Sequence, residues 1–155
     1  MTNRIEQRLT ELGLTLPQAA APAANYVPTR ISGSQLFISG QLPMGPGGLE
    51  VIGRLGKDVS LEEGRAAARL CAVNLLAQAK SALEGDLTRI KATIRIGVFV
   101  SSSPDFHEHH LVANGASDLI AEVLGEAGIH ARAAVGVACL PLNAAVEAEA
   151  IFEIV

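Results

Sequence analysis

Aromatic and basic residues are scarce in this 155-residue chain, and their scarcity narrows the range of possible functions. The sequence has one tyrosine, four phenylalanines and no tryptophan, so few flat side chains are available for stacking against nucleic-acid bases. Its formal net charge is -4, whereas proteins that bind nucleic acids carry a basic face or stripe. The composition therefore argues against a nucleic-acid-binding protein.

Cysteines and long apolar runs are also few. No apolar run reaches the roughly 18 to 20 residues of a membrane-spanning helix. The N-terminal stretch has charges every few positions, unlike the apolar segment of a signal peptide. Cys71 and Cys139 lie in apolar stretches without the paired spacing of a zinc or redox motif. We expect both to be buried, reduced thiols of a cytoplasmic protein.

Helix patterns are well marked, and with 49% hydrophobic residues the chain can bury one core of its own. Periodic apolar residues predict helices over 3–13, 61–84 and 104–124. The second helix begins with a capping box of Ser60 and Glu63 and ends at Gly85. The third is predicted to begin with Ser103 as its cap and Pro104 in its first turn.

Strand patterns occupy the stretches between these helices. They are predicted at residues 36–39, over 89–100 and on both sides of residues 140–143. Alternating residues of the middle strand are expected to share its core face: Ile90, Ala92, Ile94, Ile96 and Val98. The last two strands are expected to pair as a hairpin, because Pro141 and Asn143 supply turn chemistry.

The order of these elements predicts one mixed β-sheet with both long helices packed on one face, an α+β fold. The opposite face of that sheet would have no helices of its own. Its strands carry small apolar residues, which suggests that another subunit covers this face. We therefore expect a homo-oligomer.

The two C-terminal strands contain an unusual arginine, Arg132, and three glutamates, Glu147, Glu149 and Glu153. Alternation predicts that Ala133 and the residues at 135, 137 and 139 face the core, with Arg132 and the small residues at 134, 136 and 138 opposite. Small neighbours leave space beside a guanidinium, whose planar fork matches a carboxylate. A solvated arginine paired with a surface acid, and a solvated glutamate face, are the plainer alternatives.

The predicted hairpin bears on whether Arg132 and Glu147 can share a site. A turn at residues 141–144 would place Ala138, and not Arg132, opposite Glu147. The offset of Arg132 would then be about 20 Å at about 3.3 Å per residue. A site that contains both side chains would therefore be built between subunits.

Three other motifs carry less weight. The stretch HEHH, residues 107–110, is not H-E-x-x-H, and it lacks a third ligand in register. The glycines of residues 45–48 lack the Gly-Lys-Ser/Thr of a phosphate loop, which favours a turn. No serine lies in a Gly-x-Ser-x-Gly elbow. We therefore expect neither a metal site nor a serine hydrolase.

Four stretches, in order, resemble the YjgF/YER057c/UK114 family, also called Rid (reactive intermediate/imine deaminase) and labelled endoribonuclease L-PSP in older usage. They are NYVPTRISGSQLFISGQLP, IKATIRIGVFVSSSPDF, VANGASDLI and ARAAVGVACLPLNAAVEAEAIF. The last is the most specific, because its Ala-Arg, Leu-Pro and Glu-x-Glu-Ala follow the family's spacing.

This resemblance implies a chorismate-mutase-like α+β fold that assembles as a homotrimer with clefts between its subunits. Residues 21–155 would form the YjgF/Rid-like domain. Residues 1–20 would be an N-terminal helical extension, which is typical of a longer subgroup. The family usually has Ser-Cys after its arginine, where this chain has Ala133 and Ala134.

The resemblance also implies a chemistry and a set of residues. Active members hydrolyse reactive enamines and imines, such as 2-aminoacrylate, to 2-oxo acids and ammonia without a metal or organic cofactor. Arg132 would hold the carboxylate of the substrate, and Glu147 would position the attacking water. Tyr26, Ser39 and Asn114 would line the cleft.

Two further functions stay open beside this hydrolase of C–N bonds. The chain could be a non-catalytic, regulatory trimer that uses Arg132 to bind a small carboxylate-bearing metabolite. It could also be a ribonuclease or translation inhibitor, as the older family label says. The acidic charge and the shortage of aromatic residues disfavour this last function.

Overall fold

A computed structural model describes residues 3–21 and 24–155, in which one five-stranded mixed sheet carries two long helices on one face. The helices are α1 (Arg4–Glu11), α2 (Leu61–Ala82) and α3 (His109–Leu124). The strands are β1 (Thr29–Ser32), β2 (Gln35–Gln41), β3 (Met44–Gly45), β4 (Gly48–Leu49), β5 (Ile90–Ser101), β6 (Ala131–Val137) and β7 (Val146–Ile154). Strands β3 and β4 form a separate small hairpin. The predicted α+β class is confirmed.

Helix α2 begins where its local sequence predicts. The Ser60 hydroxyl accepts a hydrogen bond from the Glu63 amide at 3.1 Å, and the Glu63 carboxylate accepts one from the Ser60 amide at 3.2 Å. These two bonds complete the predicted capping box. Gly85, with a φ of +92°, follows the end of the helix in a conformation that favours glycine.

Helix α3 begins at His109, so the predicted start at Ser103 was wrong. Ser103 lies in a turn closed by a hydrogen bond from the Phe106 amide to the Ser103 carbonyl. The Ser103 amide donates to the carbonyl of Leu55 at 3.0 Å. This contact with a distant loop holds Ser103 away from the helix that its local sequence favours.

The predicted C-terminal hairpin was also wrong, because β5 lies between the last two strands. The order in the sheet is β1-β2-β7-β5-β6. Strand β6 runs parallel to β5 and β7 runs antiparallel to it. The segment Pro141–Asn143 is a short 3₁₀ turn, and the chain then crosses from one side of β5 to the other.

Strand β5 departs from the strict alternation that its sequence suggests. Its register with β7 shifts between Ile90 and Ala92 and again between Thr93 and Arg95. As a result, Thr93 is buried in place of its neighbours, and its hydroxyl donates to the carbonyl of Ala127 at 2.8 Å. The expectation that Ala92 and Ile94 share the core face was therefore wrong.

The faces of β6 are the reverse of those predicted. Arg132 pairs with the buried Ile96 of β5, so its side chain lies on the helix side of the sheet. Ala133 and Val135 lie on the opposite side, where Val135 is 48% exposed. Cys139 is exposed as well, against expectation, whereas Cys71 is buried as predicted.

The faces of β7 agree with the prediction. Its even-numbered residues from Val146 to Ile154 are buried, and its glutamates lie on the face away from the helices. Two of these glutamates form ion pairs: Glu149 with Arg95 at 3.5 Å and Glu153 with Lys91 at 3.2 Å. No helix in the described part of the chain is long and apolar enough to cross a membrane.

Candidate functional site

Arg132 lies at the start of the edge strand β6, and its guanidinium is held by helix α3. Its Nη1 donates to Asn114 Oδ1 at 2.9 Å and to Ser117 Oγ at 3.1 Å. Its Nη2 donates to the carbonyl of His110 at 3.3 Å. Asn114 and Ser117 are three residues apart and so lie on one face of the helix. The structure therefore brings together two of the predicted site residues, Arg132 and Asn114.

All three of these partners are neutral, which leaves the charge of Arg132 available. Among residues 3–21 and 24–155, no ion pair includes Arg132, and its side chain is exposed. A guanidinium has five N–H donors, and the contacts above use two on Nη1 and one on Nη2. Within the described residues, Nε and one Nη2 hydrogen remain free to bind a carboxylate. The surface acid of the plainer alternative is not its partner.

Two residues that the sequence did not single out, Ser117 and His130, complete this cluster. His130 Nε2 lies 2.8 Å from Ser117 Oγ, and His130 Nδ1 lies 2.6 Å from the carbonyl of Gly128. His130 and Arg132 alternate on an extended segment, so both project toward α3. A cavity of about 300 Å³ opens beside them. The sequence offered two signals for this cluster: the H-x-R spacing of His130 and Arg132, and the N-x-x-S spacing of Asn114 and Ser117.

Glu147 lies on the other face of the sheet, beside Gly40 of β2. Its carboxylate occupies the space that a β-carbon on Gly40 would fill. Burial raises the pKa of Glu147 above its ordinary value of 4.5, and the charge of Glu149 raises it further. A carboxylate with a raised pKa is the stronger general base.

Two further predicted site residues, Tyr26 and Ser39, lie on chain segments that adjoin Gly40. The Ser39 hydroxyl donates to the carbonyl of Val27 at 2.8 Å and thereby ties the segment that follows Tyr26 to β2. Tyr26 is 49% exposed and lines a cleft of about 170 Å³ together with Gly40. Gly40, which the Glu147 carboxylate contacts, thus follows Ser39 in the chain and lines the same cleft as Tyr26, and we refer to Tyr26, Ser39 and Glu147 as the second group.

The two groups do not meet within one chain. Glu147 pairs with Phe99 of β5, whereas Arg132 pairs with Ile96, so they are offset along β5 by about 10 Å. Strand β5 itself separates them, and the two side chains project from opposite faces of the sheet. The intervening strand, and not the offset of a hairpin, keeps Arg132 and Glu147 apart.

The histidines of residues 107–110 have separate environments. His107 precedes α3, and His109 packs edge-on against Phe106 with ring centroids 5.2 Å apart. The Nε2 atom of His109 lies 3.0 Å from Ser102 Oγ. In the part of the chain that the structure describes, no three His, Cys, Asp or Glu side chains are grouped to hold a metal ion.

The chain matches a known family over most of its length. Residues 6–153 match the family model described as YjgF/chorismate mutase-like, which also carries an endoribonuclease label. The chain is a member of the YjgF/chorismate mutase-like family, and the resemblance drawn from its four stretches is confirmed.

Relatives in sequence and structure agree with this membership. Protein TCP17 of Trypanosoma cruzi is 52% identical over 154 residues, which cover 99% of this chain and 96% of that protein. The crystal structure of Atu1372 from Agrobacterium tumefaciens, a protein of unknown function, is 58% identical with a TM-score of 0.93, covering 99% of this chain and 94% of that one. Escherichia coli TdcF, crystallised with bound serine, is 25% identical with a TM-score of 0.63, covering 89% and 94%.

Proposed function

We propose that this chain is a cytoplasmic deaminase that hydrolyses reactive enamines and imines similar to 2-aminoacrylate, at clefts between the subunits of a homotrimer. The observation that carries the proposal is the state of Arg132. Its guanidinium is fixed by three neutral acceptors, lacks an acidic partner in the described residues, and keeps Nε and one Nη2 hydrogen for a ligand. Such a group suits a small carboxylate.

Binding of the substrate would begin with its carboxylate. Arg132 binds this carboxylate through Nε and Nη2, and the two hydrogen bonds fix the position of the neighbouring C=N carbon. Asn114 uses Oδ1 for Arg132, so its Nδ2 remains a donor that can reach the same ligand. Arg132 is cationic and the Asn114 amide is neutral. Because both offer N–H donors, an anionic substrate is favoured.

Hydrolysis then requires a water and a base. An enamine first tautomerises to its imine. Glu147 of a neighbouring subunit then takes a proton from water as the water oxygen bonds to the imine carbon, and it passes this proton to the nitrogen to give a neutral carbinolamine. In the second transfer Glu147 moves the hydroxyl proton of the carbinolamine to the amine nitrogen, so that ammonia leaves as the C–N bond breaks and the C=O of the 2-oxo acid forms. The raised pKa of Glu147 supports both transfers. Ser39 donates its hydroxyl hydrogen to Val27, so its oxygen can accept from the imine N–H.

The separation of the two groups supports a cleft that is completed by a second copy of the chain. Arg132 and Glu147 project from opposite faces of one sheet, so a single chain presents each half of the site without its counterpart. Apolar side chains such as Phe37 and Val135 are partly exposed on the helix-free face. Association through this face would cover them.

A second candidate is a regulatory trimer that binds a small carboxylate and does not turn it over. The serine bound to TdcF supports it, because serine carries a carboxylate and TdcF shares this fold. The two candidates use the same arginine. They differ in whether Glu147 and a water act on the ligand after it binds.

The test is the release of 2-oxo acid from freshly generated 2-aminoacrylate and its larger homologues. We expect acceleration by the natural chain and a loss of about 100-fold in kcat/KM for Arg132→Ala, because two charge-assisted hydrogen bonds are removed. Arg65→Ala, at an exposed arginine of α2, is the matched control and should retain activity. If the folded protein binds carboxylates but gives no acceleration, the binding function replaces the deaminase.

A further inference from the structure

The hydrogen bonds behind Arg132 form a directed chain. The carbonyl of Gly128 can only accept, so His130 Nδ1, at 2.6 Å, must carry a hydrogen. In an uncharged imidazole this leaves Nε2 as an acceptor, and the Ser117 hydroxyl at 2.8 Å donates to it. The oxygen of Ser117 then points its lone pairs at Arg132 Nη1, which donates to it at 3.1 Å.

We propose that Ser117 and His130 are positioning residues that hold the guanidinium of Arg132 in the orientation that binds a carboxylate. This inference rests on the proposed role of Arg132 in the preceding section. It adds that a neutral relay from Arg132 through Ser117 and His130 to the carbonyl of Gly128 helps to set the orientation of Arg132, together with Asn114 and the His110 carbonyl.

The relay adds a restraint on Arg132 to those that Asn114 and the His110 carbonyl supply. Its side chain is exposed on an edge strand, and small residues, Ala133 and Ala134, follow it. An exposed arginine loses considerable rotamer freedom when it binds a ligand, and prior restraint reduces that loss. Asn114 fixes one hydrogen of Nη1, and Ser117 fixes the other, so the plane of the guanidinium is set before the ligand arrives.

The direction of the relay matters as well. With its hydrogen on Nδ1, His130 orients the Ser117 hydroxyl away from Arg132, which leaves the serine oxygen as an acceptor. An uncharged imidazole also adds no positive charge beside the guanidinium. The relay thus restrains Arg132 without neutralising it, whereas a carboxylate at the same place would compete with the ligand.

His130 makes two hydrogen bonds, one with Ser117 and one with the Gly128 carbonyl, and two substitutions can each preserve one of them. His130→Asn places an amide nitrogen near the position of Nδ1, which keeps the bond to Gly128 and removes the bond to Ser117. His130→Gln places its amide near the position of Nε2, which keeps an acceptor for Ser117. Ser117→Ala removes the middle of the relay. Arg132→Ala removes the group that the relay holds.

The experiment measures the affinity of each variant for pyruvate by titration calorimetry, with KM and kcat measured where turnover occurs. We expect Ser117→Ala and His130→Asn to raise Kd and KM by about 5- to 10-fold, the effect of one net hydrogen bond, with a much smaller change in kcat. His130→Gln should stay within about 2-fold of the natural chain. Nitrogen NMR of the natural chain should show His130 with its hydrogen on Nδ1.

The outcomes separate this inference from the proposed function. If Arg132→Ala binds pyruvate as well as the natural chain, the role of Arg132 in the proposed function fails. If Arg132→Ala loses binding while Ser117→Ala and His130→Asn bind normally, the relay is overturned and the proposed function stands. If Ser117→Ala and His130→Asn lower the melting temperature but leave Kd unchanged, the relay is likewise overturned. It is also overturned if NMR finds the hydrogen of His130 only on Nε2.

Discussion

Gly40 and Glu147 lie so close together that the carboxylate of the glutamate fills the space a β-carbon on the glycine would need. The two residues belong to neighbouring strands, β2 and β7, whose register shifts between Ile38 and Gln41. The irregularity brings a residue without a side chain beside Glu147. Any larger residue at position 40 must therefore move the carboxylate.

Gly40→Ala should reduce turnover without removing the carboxylate-binding group. We expect kcat to fall by about 10- to 100-fold, because a displacement of about 1 Å misplaces the base relative to its water. The KM should change much less, since Arg132 lies elsewhere. Gly47→Ala is the matched control, because a β-carbon there meets nothing within 4 Å. Steady-state kinetics of both variants provide the measurement, and equal losses in the two would contradict this account.

Glu147→Gln should separate catalysis from stability. Loss of the base should lower kcat by about 100-fold. Burial and Glu149 raise the pKa of Glu147 above 4.5, so the folded state favours the protonated form. The raised pKa contributes to the free energy of unfolding when the pH is below the pKa of Glu147 in the unfolded chain. This contribution is lost as the pH rises through the pKa of Glu147 in the folded protein.

The glutamine variant should therefore resist urea better than the natural chain at pH 8, and this advantage should vanish near pH 4. Urea titrations of both proteins at the two pH values measure the difference in free energy of unfolding. A difference of equal size at both pH values would show that ionisation of Glu147 is not its cause.

Gly115→Ala should destabilise the contact between α2 and α3. A β-carbon at Gly115 would collide with the backbone carbonyl of Arg65 on the facing helix. We expect the free energy of unfolding to fall by about 1 to 3 kcal/mol, despite the better helix propensity of alanine. At Gly64, the added carbon would meet the end of the Leu55 side chain at 2.8 Å.

The Leu55 side chain can rotate, whereas the Arg65 carbonyl cannot move without its helix. Gly64→Ala should therefore change the free energy of unfolding by less than about 1 kcal/mol. Urea unfolding of both variants gives the comparison. A larger effect at Gly64 than at Gly115 would refute the distinction between side-chain and backbone contacts.

The two cysteines should differ in reactivity. Burial raises the pKa of the Cys71 thiol well above its ordinary value of 9.0, and the charge of Glu147 adds to this. Cys139 is exposed. A thiol reagent such as dithionitrobenzoate should modify Cys139 in the native protein and Cys71 only after unfolding. Reaction of Cys71 in the native state would show that its surroundings open readily.

Local sequence was sufficient where the structure depends on local bonds. The start of α2 follows from Ser60 and Glu63, which cap the helix without help from the rest of the chain. The faces of β7 follow from a strict alternation of glutamate with apolar residues. Distant contacts decided the other cases. Leu55 holds Ser103 out of α3, and the insertion of β5 separates strands that adjoin in sequence.

The candidate site was predictable only in part, for similar reasons. Strand β6 has small residues on both faces, so its alternation could not show which side of the sheet Arg132 occupies. The contact between Arg132 and Asn114 became visible only when β6 was placed against α3. Ser117 and His130 were not among the predicted site residues, and their importance arises from a chain of hydrogen bonds that spans two elements.

The opposite-face arrangement of Arg132 and Glu147 has a consequence for mixtures of defective chains. In the proposed trimer each chain contributes Arg132 to one cleft and Glu147 to the next. Any trimer that mixes Arg132→Ala and Glu147→Gln chains then contains one cleft with both natural residues. Equal mixing after reversible dissociation should restore about a quarter of the natural activity, although each variant alone is inactive. The two substitutions would thus complement each other when they are on different chains. A chain that carries both substitutions would form no cleft with both natural residues and would stay inactive.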